Sequence, residues 1–261
     1  MFFSRVRIAP GSLAQIKLLR ILQGDVYATH QLIWKLFPSI LSGKRPFLFR
    51  QEFEKEQIAN SDIRRGMPIY YIVSTVKPVA VDGLLMVETK NYTPQLYEGM
   101  RLGFDVRVNP VVQKKIERDN VEEWRQNRIK NGLKDKEPTK RRIYHDVLMH
   151  AKHQARTEGL NPQKQADRQI IKNRMDIAVK SWLIDSCTRY GFNIESTSLI
   201  EANAYQQNLL RKRGQKETKF SSIDLTGILT ITDPTQFLTI LEKGIGHSRS
   251  FGCGLMLVKK V

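Results

Sequence analysis

Residues 2–8 (Phe-Phe-Ser-Arg-Val-Arg-Ile) alternate apolar and polar side chains with the period of two expected of a half-buried strand, and a Pro-Gly turn follows. The pattern then changes to helical spacing, predicting a helix over 25–37 with Asp25 as N-cap and Pro38 just beyond its end. Residues 45–54 and 68–75 read as two further strands. A short element interrupted by Pro78 comes next, and 84–90 reads as a fourth strand.

That order, β-α-β-β-(α)-β, is the ferredoxin-like order found in RNA-recognition domains. A second pass through it starts near Met100, where residues 102–108 alternate cleanly. A long basic insertion at 111–161 follows, then a helix over 167–190 closed by Gly191, strands over 194–205 and 220–232, a helix capped at Asp233-Pro234, and a last strand over 252–260. The chain is therefore expected to be α+β, with two tandem ferredoxin-like domains at 1–95 and 96–261. The repeat is one of topology, since the halves share negligible sequence identity. The insertion alternates charge signs, carries Lys-Arg-Arg at 140–142, and reads as a helical hairpin or as partly disordered in isolation.

Charge narrows the partner class. Lys and Arg number 43 against 26 Asp and Glu, a formal net charge of +17, so a phosphate-rich partner is favoured and nucleic acid leads. No apolar run approaches the roughly 20 residues of a membrane helix, and no lipidation signal is present, so the reading is cytoplasmic with no membrane partner. The two cysteines, Cys187 and Cys253, are too few for a disulfide framework or a structural zinc site and read as buried or bystander thiols. His145, His150 and His153 fall in one basic helix-like stretch and read as solvated, with no metal expected.

The last eighteen residues carry the strongest local signal. Gly244, Gly246, Gly252 and Gly254 bracket His247, Arg249 and Ser250 between a helix-like and a strand-like run. Glycines allow positive φ and close backbone approach to a polyanion. The order helix, loop, strand and the spacing differ from a dinucleotide-binding loop, while a plain turn into an edge strand is the simpler alternative.

Tyr27 and His30 lie three residues apart on the early helix, on neighbouring positions of one face. A histidine beside a phenol in a basic protein suits RNA cleavage in which the ribose 2′-hydroxyl attacks, since the work left to the enzyme is proton transfer and charge stabilisation. The same histidine also fits an apolar stripe with Val26, Ile33 and Phe37, as a packed residue would. Phe47, Phe49, Tyr70 and Tyr71 fall on predicted strands, where they could stack on bases or form core.

Together these blocks resemble the CasE family, the CRISPR-associated repeat-RNA endoribonucleases of type I-E Cascade. The resemblance rests on the first strand, on Tyr27-x-x-His30-x-x-x-Trp34-x-Leu36-Phe37-Pro38 followed by Arg45-Pro-Phe-Leu-Phe-Arg50, on Val106-Arg-Val-Asn109-Pro110, and on Gly244-Ile-Gly246-x-Ser248-x-Ser250-x-Gly252-Cys-Gly254-Leu255. It implies metal-free, cofactor-free cleavage of CRISPR precursor RNA at the 3′ base of each repeat hairpin, leaving a 2′,3′-cyclic phosphate or 3′-phosphate. It also implies His30 as catalytic histidine, Tyr27 as its assistant, and retention of the product with other Cascade subunits. The family's hairpin between the second and third strands of the second domain reaches into the RNA stem. Here its tip carries Arg211, Lys212, Arg213, Lys216 and Lys219, five positive charges against one negative. The rival reading is a non-catalytic RNA-binding subunit of such a complex; a DNA-binding regulator lacks a helix-turn-helix or zinc signature.

Overall fold

A computed structural model describes residues 1–9, 26–40, 45–53, 67–117, 120–134, 141–210 and 217–261. Asp25 and the Pro-Gly turn lie outside the described residues. Four strands, β1 (Phe2–Ile8), β2 (Phe47–Phe53), β3 (Pro68–Ser74) and β4 (Leu85–Asn91), form an antiparallel sheet in the order β2-β3-β1-β4. Helix α1 (Val26–Trp34) lies on this sheet with Leu32 and Ile33 buried. Its end tightens into i→i+3 bonds, from Leu36 N–H to Ile33 C=O at 3.1 Å and from Phe37 N–H to Trp34 C=O at 3.0 Å. Pro38, with no N–H to give, stops it there.

The second sheet repeats the arrangement with β5 (Arg101–Val108), β8 (Phe192–Asn193), β9 (Ile200–Leu210), β10 (Thr218–Ile231) and β11 (Met256–Lys260) in the order β11-β5-β10-β8, β9 pairing with β10. Between β5 and β8 come a two-stranded ribbon of β6 (Val111–Ile116) and β7 (Arg141–Asp146), with α2 (Val121–Lys130) between its strands, then α3 (Val147–Thr157) and α4 (Gln165–Cys187). Helix α5 (Pro234–Lys243) is capped by the Asp233 carboxylate, which accepts from the Thr235 and Gln236 amides. The α+β class and the doubled ferredoxin-like strand order are those the alternating patterns imply.

Several elements differ from the sequence reading. No helix stands between β3 and β4 among the described residues; Val81 bridges back to Leu85, and Pro78 and Gly83 break the run too often for a helical turn. The insertion is neither a helical hairpin nor a single basic helix, because β-branched Val111, Val112 and Ile143 take a ribbon, which puts His145 on a strand. Strand β9 starts at Ile200, after Ser196 has accepted the Ser198 amide in a local turn. Strand β11 starts only at Met256, because Gly252 and Gly254 take φ values of 85° and 90°.

Each sheet has its own apolar core: Val6, Leu32, Ile33, Phe47, Phe49 and Tyr70 under the first, Phe104, Val106, Leu183, Leu225 and Phe237 under the second. A third cluster joins them, formed by Leu48 and Val73 of the first sheet and Leu255 of the glycine-rich segment. Strand β2 is consequently buried on both faces, so Phe47, Phe49 and Tyr70 are core and unavailable for stacking on bases, while Tyr71 is half-buried beside Phe3. Both cysteines are buried, as expected. Among the described residues no helix is long and apolar enough to cross a membrane.

Candidate functional site

The glycine-rich segment folds back onto the first domain, and this brings its side chains to His30. Gly244 ends α5, the Ile245 amide donates to the Gly254 carbonyl at 3.1 Å, and the Gly254 amide donates to the Arg107 carbonyl at 2.7 Å. A Cβ at Gly254 would lie 2.6 Å from the Ile245 carbonyl oxygen, one at Gly244 2.9 Å from both the Gly254 carbonyl oxygen and Leu48, and one at Gly246 3.1 Å from the Asn109 carbonyl oxygen. These three glycines are thus required by the loop's own closure. Gly252, also at positive φ, would put its Cβ in ordinary contact with Phe49. Ser248 takes φ 52°, unusual for a residue with a Cβ, and is held there by Asn109, whose Nδ2 donates to Ser248 Oγ at 2.6 Å.

The loop so fixed sets Phe251 with its ring centre 5.8 Å from that of His30. The imidazole is half-buried among Phe251, Phe47 and Trp34, with ring centres between 5.8 and 6.3 Å away. Trp34, one turn along α1, donates its indole N–H to His30 Nε2 at 3.0 Å. An indole only donates, so Nε2 is the acceptor and Nδ1 carries the proton of the neutral ring. Nδ1 is buried outside hydrogen-bonding geometry, though the Ser250 backbone is close enough to favour the protonated ring. Burial and then the Arg45 charge outweigh it, and the His30 pKa is lowered.

Arg45 is the cation of this site. Its Nε donates to the Phe47 carbonyl at 2.7 Å, Nη1 donates to Ser250 Oγ, and the guanidinium lies 5.7 Å over the Phe47 ring. Burial, then Arg249, brings its pKa down to about 10. Arg249 itself is exposed and donates to the Lys243 carbonyl at 2.8 Å, capping α5. Neither arginine has a carboxylate partner among the described residues. Such a pair of uncompensated cations beside a neutral imidazole is suited to an anion carrying a proton to be moved.

Tyr27 lies one turn before His30 and is half-buried. His247 is exposed, its pKa lowered by burial of part of the ring and then by Arg249. Lys219 is exposed on β10, next to Phe220, which stacks on Phe251 at 5.9 Å. Arg211, Lys212, Arg213 and Lys216 lie outside the described residues. The structure thus brings His30, Ser250, Arg249 and the four glycines to one seam. Sequence reasoning missed Arg45 and Trp34 as members of it. Trp34 was legible from its i, i+4 spacing to His30. Arg45 was not, because a cation at a strand's start carries no local sign of its partners. Among the described residues no cluster of His, Cys, Asp or Glu is arranged to hold a metal ion.

A second polar cluster lies behind the site. Arg50, with a side chain only 4% exposed, donates from β2 to Asp105 of β5 at 2.7 and 3.2 Å and to Glu52, and lies 3.6 Å from Asp224. Arg107 donates to both Asp224 oxygens at 2.7 and 2.8 Å and to the Gln51 carbonyl at 2.9 Å. Burial pulls both guanidinium groups down, but the carboxylates outweigh it and hold them raised. This network ties strand β2 to the second sheet, and so holds Arg45, at the start of that strand, against the loop.

Fold and site together define a tandem ferredoxin-like protein whose cationic domain seam encloses a histidine. The family model described as CRISPR associated protein matches residues 1–260, and the chain belongs to that family. The chain is similar to the CRISPR system Cascade subunit CasE of Escherichia coli (strain K12), 24% identical over 244 residues, covering 94% of this chain and 96% of that protein. In structure it is similar to CRISPR endoribonuclease Cse3 bound to RNA, with 19% identity, a TM-score of 0.61, and 99% and 100% of the two chains covered. It is also similar to the CRISPR-associated protein Cas6e from Escherichia coli K-12, with 23% identity, a TM-score of 0.57, and 100% of both chains covered. The CasE resemblance drawn from the sequence stands with these matches.

Proposed function

We propose that this protein is a metal-independent endoribonuclease that cuts CRISPR precursor RNA within its repeats, at the 3′ base of the repeat hairpin, and keeps the product as a Cascade subunit. The reading divides the chain into an N-terminal domain, 1–95, bearing the catalytic helix, and a C-terminal domain, 96–261, bearing the glycine-rich loop and basic hairpin. The observation that carries it is the seam itself: a neutral imidazole beside Arg45, with Ser250 and Arg249 at its edge and no carboxylate set against either cation among the described residues. The names of the relatives, an RNA-cutting enzyme and a Cascade subunit, support it. The work is assigned to the cytoplasm, where precursor RNA is made.

The ribose supplies its own nucleophile, so no metal-bound water is required. His30 Nε2, the lone pair now held by the Trp34 indole, takes the 2′-hydroxyl proton once RNA displaces that bond. The oxygen attacks the adjacent phosphorus, the P–O5′ bond breaks, and the leaving 5′-oxygen takes up a proton from water or the His30 imidazolium, so that a 5′-hydroxyl and a 2′,3′-cyclic phosphate remain. Tyr27 assists the proton transfer from the preceding turn, and Arg45 with Arg249 stabilises charge on the phosphoryl oxygens. The loop that Gly244, Gly246, Gly252 and Gly254 shape presents His247 and Ser250 to the RNA backbone beside the cut, the buried Gly244, Gly252 and Gly254 acting through the loop's conformation and not by direct contact, while the hairpin tip and Lys219 grip the stem.

The aromatic enclosure of His30 also favours a second reading, in which the ring is packed and the protein binds RNA without cutting it. Repeat RNA incubated with wild type, His30→Ala and His30→Gln in excess EDTA separates the two. The nuclease requires cleavage at the hairpin base by wild type alone, slowed 100-fold or more in both variants, with a cyclic-phosphate end. Tight binding by all three proteins with no cleavage overturns it in favour of the binder.

A further inference from the structure

The ribbon of β6 and β7 starts at the candidate site, and nothing in the reading so far gives it work. Asn109, two residues before it, pairs with His247 of the glycine-rich loop, the His247 amide donating to the Asn109 carbonyl at 3.2 Å. From β7, Tyr144 sets its ring against His247 with centres 5.4 Å apart, yet the residue remains 57% exposed. Across the ladder Gln113 pairs with Tyr144, and its Nε2 reaches toward the phenol at 3.5 Å.

Two further features suit an anionic partner. Within the two strands the sequence places Lys114, Lys115, Arg141 and Arg142 against the single acid Asp146. Of these, Lys114 is exposed and pairs across the ladder with Ile143, one residue from Tyr144. Asp146 offers little compensation, because its carboxylate already accepts the Leu148 and Met149 amides at the start of α3 and the Ser221 amide of β10. These bonds also anchor the ribbon to the second sheet, so its aromatic is held in a fixed place rather than on a swinging arm. An exposed aromatic beside an exposed cation on a well-anchored element is suited to an unpaired nucleotide.

We infer that the ribbon is a binding surface for the unpaired RNA next to the cleaved phosphate, with one base stacked on Tyr144 and the backbone running along the basic strands. A duplex does not fit this surface, because its bases are already stacked and their faces are closed, whereas an unpaired base can turn its face to a phenol. The route is continuous: the loop that carries Phe251 to His30 also carries His247 to Tyr144. The inference rests on the RNA-processing reading of the site.

The test uses full-length protein and two hairpins made uncleavable by a 2′-deoxy substitution at the cut, one ending at the stem and one extended by the unpaired nucleotides flanking it. For wild type the extended hairpin should bind roughly tenfold more tightly. In Tyr144→Ala that ratio should fall to about one, while Tyr144→Trp should keep it, and the Lys115→Glu, Arg142→Glu double variant should lower the salt dependence for the extended RNA. A ratio of one in wild type, or a ratio unchanged in Tyr144→Ala, overturns the inference and leaves the nuclease reading intact. Failure of wild type to bind either hairpin instead sinks the reading on which it rests.

Discussion

Arg45 and Arg50 lie at the start and in the middle of one strand region, and both reach from the first domain to the second, yet their surroundings are opposite. Arg50 meets Asp105, Glu52 and Asp224, which raise its pKa despite burial. Arg45 meets a serine hydroxyl and a carbonyl, and its pKa falls to about 10. A cation surrounded by its own carboxylates has no demand left for an outside anion and serves to hold parts together. One left without them stays poised for a phosphate. The seam is therefore divided into a part that holds the domains in place and a part that waits for a ligand.

Removing each cation should separate these roles. Arg50→Ala takes the buried guanidinium from Asp105, Glu52 and Asp224; the first two are partly solvated and Arg107 still pairs with Asp224, so the loss should be about 3 kcal/mol of stability in denaturant titration, the low end for a broken buried pair. A loss under 1 kcal/mol would dissolve the distinction. Next in size, Gly254→Ala should cost about 2–3 kcal/mol, since a methyl is forced against a carbonyl at positive φ; Gly252→Ala, without that collision, should cost about 1 kcal/mol. Equal losses would mean that the loop is not braced against itself. Arg45→Gln should weaken repeat-RNA binding roughly tenfold with little change in unfolding free energy, the reverse of Arg50→Ala.

The smallest effect concerns pH. His30 has a pKa lowered below its unfolded value of 6.5. Between the two values the unfolded chain binds the extra proton, so the contribution of His30 to stability is complete above pH 6.5 and is lost as pH falls toward the folded value. As a base, His30 should give a single-turnover cleavage rate, measured with protein well below saturation so that it reports the free protein, that is flat near neutrality and declines below that lowered value. Trp34→Phe removes the donor that stabilises the neutral ring, so the acid limb should move upward, toward 6.5. A limb that stays in place would show that the indole only fills space.

How far local pattern reaches can be read from particular residues. The alternation over 2–8 and 102–108 predicted two strands that are there, and the helix-to-Pro38 signal predicted the helix that carries His30. What failed were elements chosen by neighbours: the ribbon taken for helix, the absent helix before β4, and a last strand placed four residues too early across two glycines at positive φ.

Strand β2 marks the division most clearly. Its alternation, Phe47 and Phe49 on one side with Leu48 and Arg50 on the other, was enough to predict a strand with one apolar face. Nothing local says that the other face is also covered, or that a residue as costly to bury as Arg50 has its carboxylates waiting on β5 and β10, 55 and 174 positions away. Periodicity and capping are properties of a few adjacent residues, so the sequence by itself determined the elements that local pattern fixes, such as β1, β5 and α1, the doubled strand order and the candidate histidine. Burial and charge compensation depend on what lies opposite, so only the tertiary structure decided which arginine is spent on the fold and which is left for the ligand.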